Sequence, residues 1–322
     1  MRKVCIIGCG AIGSLYAAHL ARVAEVWALV RREEQARAIS QHGLRVSGKH
    51  NFVVSLNATT QAGELPRALD LGIVATKATQ VEAAIAGIAG HFDQGAIISA
   101  QNGLGSEEII AAHTRGQVIR GTTFMSGTRH SDTHVQYELD TATWLGPFEP
   151  RRTPAAMVRA AAELMVAGGL KAEALEDARP AQWSKLIFNA SVNGVSALTG
   201  LPHSPHFSAQ EKFDDLGHLL QELIEEGKRV AAAVGVRLHE DPWAMNKIGA
   251  LTNHPTSMLY DVRHRLPTEV DFLSGAIARE AQRVGVEAPL HAAVYRLIKG
   301  KEAAWTFQEE NRPVVVEGQT SQ

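Results

Sequence analysis

Residues 4–13, "VCIIGCGAIG", limit what this chain can fold into more than any other stretch. An apolar run passes into Gly8, Cys9, Gly10, Ala11, Ile12 and Gly13, a G-x-G-x-x-G pattern, and the helical pattern "AIGSLYAAHLARV" takes over at once. Each glycine has its own reason. Gly8 allows the tight turn, Gly10 lets the backbone approach a pyrophosphate, and Gly13 lets helix and strand pack closely. The start of the helix offers unpaired N–H groups to the phosphates. The segment predicts the opening βαβ unit of a dinucleotide-binding domain, with residues 8–13 as its cradle.

The rest of the first third keeps that rhythm. "EVWALV", "LDLGIVAT" and "GAIISAQN" read as strands, with "EEQARAISQH" and "TQVEAAIAGIAGHF" as helices between them. Such alternation predicts parallel strands covered by helices on both faces. Residues 44–56 read as an inserted hairpin with Gly48 and Asn51 at its turn, and residues 134–146 as a second β-rich patch. A helix at 153–167 and a strand at 170–175 close the sheet.

After about residue 177 the strand signal stops. "PAQWSKLIFNASVNGVSALTG", "AQEKFDDLGHLLQELIEEGKRVAAAVG" and "TEVDFLSGAIAREAQRVG" carry helical periodicity, with Gly200, Gly235 and Gly285 where helix stops belong. The polar run from Thr306 reads as poorly ordered. The expected plan is α/β: a Rossmann-like dinucleotide-binding domain at 1–176, then an all-helical domain at 177–322.

A formal net charge of −2 gives no electrostatic reason to expect nucleic acid or an anionic membrane as partner. No apolar run approaches the ~20 residues that span a bilayer. "MRKVCIIGCG" breaks into glycine too soon for a signal peptide. Cys5 and Cys9 are the only cysteines, and along a strand they would stand ~13 Å apart, beyond disulfide reach. A cytoplasmic location is the expectation. No His, Cys or Asp grouping has metal-ligand spacing, so no metal is expected.

The second strand ends "WALVRREE". A site for NAD usually puts an acid there to hold the ribose 2′-OH. Arg31 and Arg32 favour the 2′-phosphate of NADP(H) instead, since guanidinium pairs well with phosphate, although two solvated arginines at a strand end are the alternative. Lys77 in "VATKATQ" and Asn102 in "SAQNGLG" follow successive strands, where open α/β sheets bind ligands.

In "WSKLIFNASVN", residues 183–193, Lys185, Asn189 and Asn193 recur every four residues on one helical face. Either this is a solvated stripe or something polar binds there. Hydride delivered to a carbonyl leaves charge on oxygen that needs a proton donor and hydrogen-bond donors, which Lys185 and the two amides could supply. Residues 255–275 hold a second polar group: Ser257, Asp261, Thr268, Glu269 and Asp271. Ser257 and Thr268 read as N-caps, with Glu269 and Asp271 in a first helical turn.

With these segments in view, the chain resembles the ketopantoate reductases (2-dehydropantoate 2-reductases) over nearly its whole length. The marks are "GCGAIGSLYAAHL", "TKATQ", "QNGLGSEE", "WSKLIFNASVNGVSAL" and "TSMLYDVRHRLPTEVDFLSG". Many dehydrogenases share the glycine loop. The W-x-K-L-x-x-N-x-x-x-N pattern, followed by S-M-x-x-D and T-E-V-D, is far more specific. The resemblance implies NADPH-dependent reduction of ketopantoate to D-pantoate, in pantothenate and coenzyme A synthesis. It implies Lys185 as general acid, and Asn189, Asn193 and Ser257 as substrate-binding residues. Asn102 and Glu269 would lie where cofactor and substrate meet, with Glu269 orienting the substrate hydroxyl and the lysine. Arg31 and Lys77 would contact NADP, and Ser126 would add a backbone contact to it. His203 stands where well-matched members carry a substrate-binding asparagine. Two alternatives stay open: reduction of another branched 2-keto acid, and a non-catalytic NADP(H) sensor, which would have no use for Lys185 with Glu269. Wide apolar faces on the long helices lead to an expected homodimer.

Overall fold

The computed structural model describes residues 2–149, 153–208, 214–250 and 253–310. The chain divides into two compact units. One comprises the chain up to Ile187 with Ala231–Pro242, the other Phe188–Val230 with the chain from Trp243 onward.

The first unit is mixed α/β. Its strands are β1 (Lys3–Ile7), β2 (Glu25–Leu29), β3 (Leu44–Gly48), β4 (Phe52–Val54), β5 (Asn57–Thr59) and β6 (Leu71–Val74). They continue as β7 (Ala96–Ser99), β8 (Gln117–Thr123), β9 (Ser126–Ser131), β10 (His134–Leu139), β11 (Thr143–Pro147) and β12 (Ala172–Ala174). The helices are α1 (Ala11–Leu20), α2 (Glu33–His42), α3 (Val81–Ile85), α4 (Ser106–His113), α5 (Ala155–Ala167) and the start of α6 (Arg179–Thr199). An eight-stranded sheet runs β12-β11-β8-β7-β6-β1-β2-β5, parallel from β5 to β8, with the antiparallel pair β8–β11 beyond. Strand β1 turns Val4 and Ile6 into one apolar cluster and Cys5 and Ile7 into another. A strand buried on both faces is the signature of a doubly wound sheet, and each fully buried aliphatic side chain contributes roughly 1.5–3 kcal/mol. Chain order reverses at β1, flanked by β2 and β6, which makes the ends of these strands the switch point where open sheets bind ligands.

Several details differ from the sequence reading. The 44–56 hairpin forms as β3–β4, but in a separate four-stranded sheet, β4-β3-β10-β9. The 134–146 patch splits, β10 joining this small sheet and β11 the large one. Strands β5, β8 and β9 and helix α4 carried no signal that the sequence reading used. Strand β8 shows why: "QVIRGTT" is buried almost throughout although it holds an arginine and two threonines. The run at 79–92 is not one helix but the short α3 between two 3₁₀ turns, Ala78–Gln80 and Ala89–Phe92. Gly87 and Gly90 interrupt it, as glycine's backbone entropy predicts.

The second unit contains the rest of α6, most of α7 (Asp214–Ala233) and α8 (Pro242–Gly249), then α9 (Ser257–Arg263), α10 (Ser274–Val284) and α11 (Pro289–Glu310). Leu220, Leu223, Ile224, Val270, Ile277 and Ile298 lie in its interior. Gly285 ends α10 with φ +73°, as a C-terminal glycine should. The run expected to be poorly ordered from Thr306 instead continues helix α11 to Glu310; the residues after it, and the N-terminal part of the helix expected around residue 209, lie outside the described residues. The expected boundary at 176/177 precedes α6, whereas the units part inside it. Residues 231–242 belong to the first unit, where the N–H groups of His239 and Glu240 donate to Ser184 Oγ.

Candidate active site

The glycine loop is hooked on from three sides. Gly8 has φ +92°, and its N–H donates to the Leu29 carbonyl at the end of β2. Gln35 Nε2 of α2 donates to the Cys9 carbonyl at 2.9 Å. A Cβ on Gly13 would sit 1.9 Å from the Gly8 carbonyl oxygen, so the helix can approach only through glycine here. Gly10 is different: a Cβ there meets nothing within 4 Å, so the loop faces open space at that point. Helix α1 has no capping side chain and no acidic residue in its first turn. Its N-terminal N–H groups therefore have no capping side chain or first-turn acid to neutralise them, an arrangement that a pyrophosphate completes. Ser14 Oγ and Thr76 Oγ1 are buried nearby with no hydrogen-bond partner among the described residues. The residues fit a dinucleotide. Cys9 inside the loop is buried, which pushes its thiol up to about 12, with Arg129 opposing.

Around this cradle the first unit assembles the other candidates at strand ends. Arg31 and Arg32 are exposed between β2 and α2. Arg32 is ion-paired to Asp132 in the turn between β9 and β10, and Asp132 also accepts from Arg129 at 3.0 Å. Lys77 follows β6, and its carbonyl accepts from Gln80 N. Asn102 follows β7, and Ser126 opens β9. Gln101, a residue the sequence reading passed over, laces these ends together. Its amide donates to the carbonyls of Val74 (2.8 Å) and Thr76 (3.2 Å), and it accepts from Ser99 Oγ at 2.9 Å.

Lys185 sits on α6 with its ammonium hydrogen-bonded to the Thr123 carbonyl at the end of β8. The same nitrogen lies 5.4 Å from the centre of the Phe124 ring. A carbonyl and an aromatic face are both groups an ammonium packs against favourably, so the side chain is held in one place. Trp144 braces Phe124 edge-on at 6.1 Å. Neither Thr123 nor Phe124 was visible as a site residue, because a carbonyl at a strand end leaves no mark in the sequence.

In the second unit Asn193, 7% exposed, accepts from Ser257 Oγ and from Met258 N, both at 3.3 Å. The expected candidates Asn193 and Ser257 are thus in contact. Asn189 is half-buried one turn earlier on α6. The capping assignments need correction. Thr256, not Ser257, caps α9: it has extended backbone and its Oγ1 accepts from Leu259 N, whereas Ser257 is already helical. Thr268 caps no helix, since α10 begins only at Ser274. Its N–H and hydroxyl both donate to Glu302 of α11, at 2.8 and 2.6 Å. Glu269 is buried in the turn before α10, where its carbonyl accepts from Phe272 N and Leu273 N. Asp271 accepts from Tyr295 Oη at 2.9 Å and Lys299 Nζ at 3.2 Å. His203 is buried against Gly249 with Nε2 2.9 Å from Asn246 Oδ1, and burial lowers its basicity.

Among the described residues no group of three or more His, Cys, Asp or Glu is placed to hold a metal ion. No helix among them is long and apolar enough to cross a membrane.

Comparison with known proteins adds to this geometry. The family model described as ketopantoate reductase PanE/ApbA matches residues 4–150, and the one for the C terminal of the same family matches residues 177–302. The 2-dehydropantoate 2-reductase of Archaeoglobus fulgidus is 29% identical over 309 residues, covering 94% of this chain and 99% of that protein. Among solved structures, a PanE/ApbA family ketopantoate reductase from Ralstonia eutropha JMP134 superposes with TM-score 0.82 at 24% identity, covering 95% of this chain and all of that one. A D-mandelate dehydrogenase in ternary complex with NADH and anilino(oxo)acetate gives the same TM-score at 21% identity, over 95% of this chain and 100% of its own. At these identities the two structures speak to the fold.

Proposed function

Since the chain belongs to the ketopantoate reductase family, we propose that it reduces the 2-keto group of 2-dehydropantoate to D-pantoate with NADPH, a step of pantothenate and coenzyme A synthesis. The observation that carries this reading is the placement of Lys185, its ammonium held by the Thr123 carbonyl and the Phe124 ring. A nicotinamide dinucleotide, when bound, supplies the hydride. Every other task falls to side chains of this chain.

Lys185 gives its proton to the oxygen that gains charge at C2. Asn189 and Asn193 recur on the same face of α6, four and eight residues on, and with Ser257 are the second unit's groups for the substrate's hydroxyl and carboxylate; Asn102 is the first unit's substrate-binding residue. Glu269 orients the substrate hydroxyl. On the cofactor side, residues 8–13 take the pyrophosphate, Arg31 takes the 2′-phosphate, and Lys77, Asn102, Ser126 and Glu269 make further contacts. Arg32 is already committed to Asp132, which supports Arg31 as the discriminating guanidinium. A dimeric ketopantoate reductase from Staphylococcus aureus among the similar structures supports pairing of two copies.

The test is NADPH oxidation followed spectrophotometrically over a panel of 2-keto acids that includes ketopantoate. Ketopantoate is expected to be the best substrate, and a faster branched 2-keto acid would move the substrate while keeping the chemistry. Lys185→Ala is expected to lower kcat by about 10²–10⁴-fold, the usual range for a lost general acid, while NADPH still binds. Undiminished turnover in that variant refutes the assigned acid. Equal kcat/KM for NADPH and NADH refutes the role given to Arg31.

A further inference from the structure

One turn before Lys185, helix α6 carries Gln182, only 5% exposed, and its hydrogen bonds reach the loop that bears Asn102. The amide nitrogen donates to the Gly103 carbonyl at 3.2 Å and to Glu107 Oε1 at 2.7 Å. The amide oxygen accepts from Arg120 Nη1 at 2.9 Å. Glu107 lies in the first turn of α4, and Arg120 lies in β8. Strand β8 ends at Thr123, whose carbonyl holds Lys185. The path is closed: from α6 through Gln182 to the Asn102 loop and α4, through Arg120 along β8, and from Thr123 back to α6 through Lys185.

Packing alone does not explain this ring. Glu107 and Arg120 are 2% and 8% exposed, and a buried carboxylate and guanidinium carry a desolvation penalty that apolar side chains of similar volume avoid. What a charged, hydrogen-bonded trio supplies and an apolar one does not is direction. Apolar contact lets a helix slide by a fraction of an ångström, whereas three bonds to one amide fix both its height and its rotation.

We propose that Gln182 is a positioning residue, holding α6 against the Asn102 loop so that the Lys185 ammonium keeps its place on the Thr123 carbonyl. The inference rests on Lys185 being the acid. Glu107 completes the device. Burial pushes its carboxyl up to about 7, with Arg120 opposing and Glu108 adding to the rise. Besides Arg120, Glu108 and Gln182, the charged groups around this cluster are Glu149, 3.0 Å from Arg120, and behind it Arg179 with Asp177. Above that pH the carboxylate accepts fully from Gln182 and attracts Arg120. Below it the attraction weakens and the helix loosens.

The test uses the full chain, with kcat and KM for ketopantoate, NADPH affinity by fluorescence titration, and thermal midpoints. Gln182→Met keeps the length and the packing but removes the bonds. It is expected to lower kcat about 10–100-fold, the scale of a misplacement of about 1 Å, with NADPH affinity near wild type and a lowered thermal midpoint, because the buried Arg120 and the Gly103 carbonyl lose a partner. The exchange variant, Gln182→Glu with Glu107→Gln, restores a bonded pair and is expected to recover most of that loss. In wild type, kcat is expected to rise with pH through about 7, and Glu107→Gln is expected to lack that limb. Wild-type kcat in Gln182→Met beside an inactive Lys185→Ala overturns the positioning role alone. Full turnover in Lys185→Ala brings down the acid assignment and this inference together.

Discussion

The glycine loop of the first unit and residues 255–275 of the second both interrupt apolar sequence with polar chemistry, and they do it in opposite ways. The loop works through what it lacks: no Cβ at Gly13, open space at Gly10, no capping side chain on α1. The later segment works through side chains tied to neighbouring helices, Ser257 to Asn193, Thr268 to Glu302, Asp271 to Tyr295 and Lys299. A site made of backbone is broken by adding atoms. A site made of side-chain bonds is broken by removing them.

The largest expected effect comes from adding one carbon. Gly13→Ala places a methyl 1.9 Å from the Gly8 carbonyl, and backbone cannot yield as a flexible side chain does. It is expected to lose about 3 kcal/mol or more by urea denaturation, the upper end of overpacking penalties. Gly10→Ala adds the same carbon into open space and is expected to stay within about 1 kcal/mol of wild type, while NADPH affinity falls at least tenfold. Equal behaviour of the two variants would break the comparison.

Next is a removal. Glu302→Ala strips the acceptor from both donors of Thr268, which is 1% exposed. An unsatisfied buried donor costs about 1–3 kcal/mol, so the urea midpoint is expected to drop accordingly, and turnover with it because the turn bearing Glu269 loses its anchor. A midpoint equal to wild type would show that the turn holds itself.

The last effect is absent at neutral pH and needs acid to appear. Burial pushes His19 in the first unit and His291 in the second down to about 4 from 6.5. The folded state keeps both neutral where the unfolded chain binds protons, so their contribution is whole above pH 6.5 and drains away as pH falls toward 4. His291→Gln is expected to flatten the pH dependence of the thermal midpoint over that window. An unchanged slope would assign the acid sensitivity elsewhere.

What could be read from sequence follows the same division. The glycine loop was legible residue by residue because strand, turn and helix follow one another within ten positions. The spacing of Lys185, Asn189 and Asn193 was legible because helical period alone puts them on one face. Thr268 was misassigned because its partner, Glu302, lies 34 residues on and competes successfully with a local cap. Strand β8 was missed because Arg120, Thr122 and Thr123 look exposed until Glu107, Gln182 and Glu149 are folded around the arginine. Gln101 and Gln182 were passed over for a related reason: each serves carbonyls, and carbonyls are the same at every position in a chain.

The two thiols have a practical consequence. Cys5 lies at the middle of the sheet, on a strand paired on both sides, and Cys9 lies in the loop. A thiol-reactive dye can reach Cys5 only when the whole first unit unfolds, but it can reach Cys9 whenever the loop alone opens. Tagging rates at the two sulfurs therefore separate local breathing from global unfolding, and a bound dinucleotide, which must leave before either event, should slow both by the same factor.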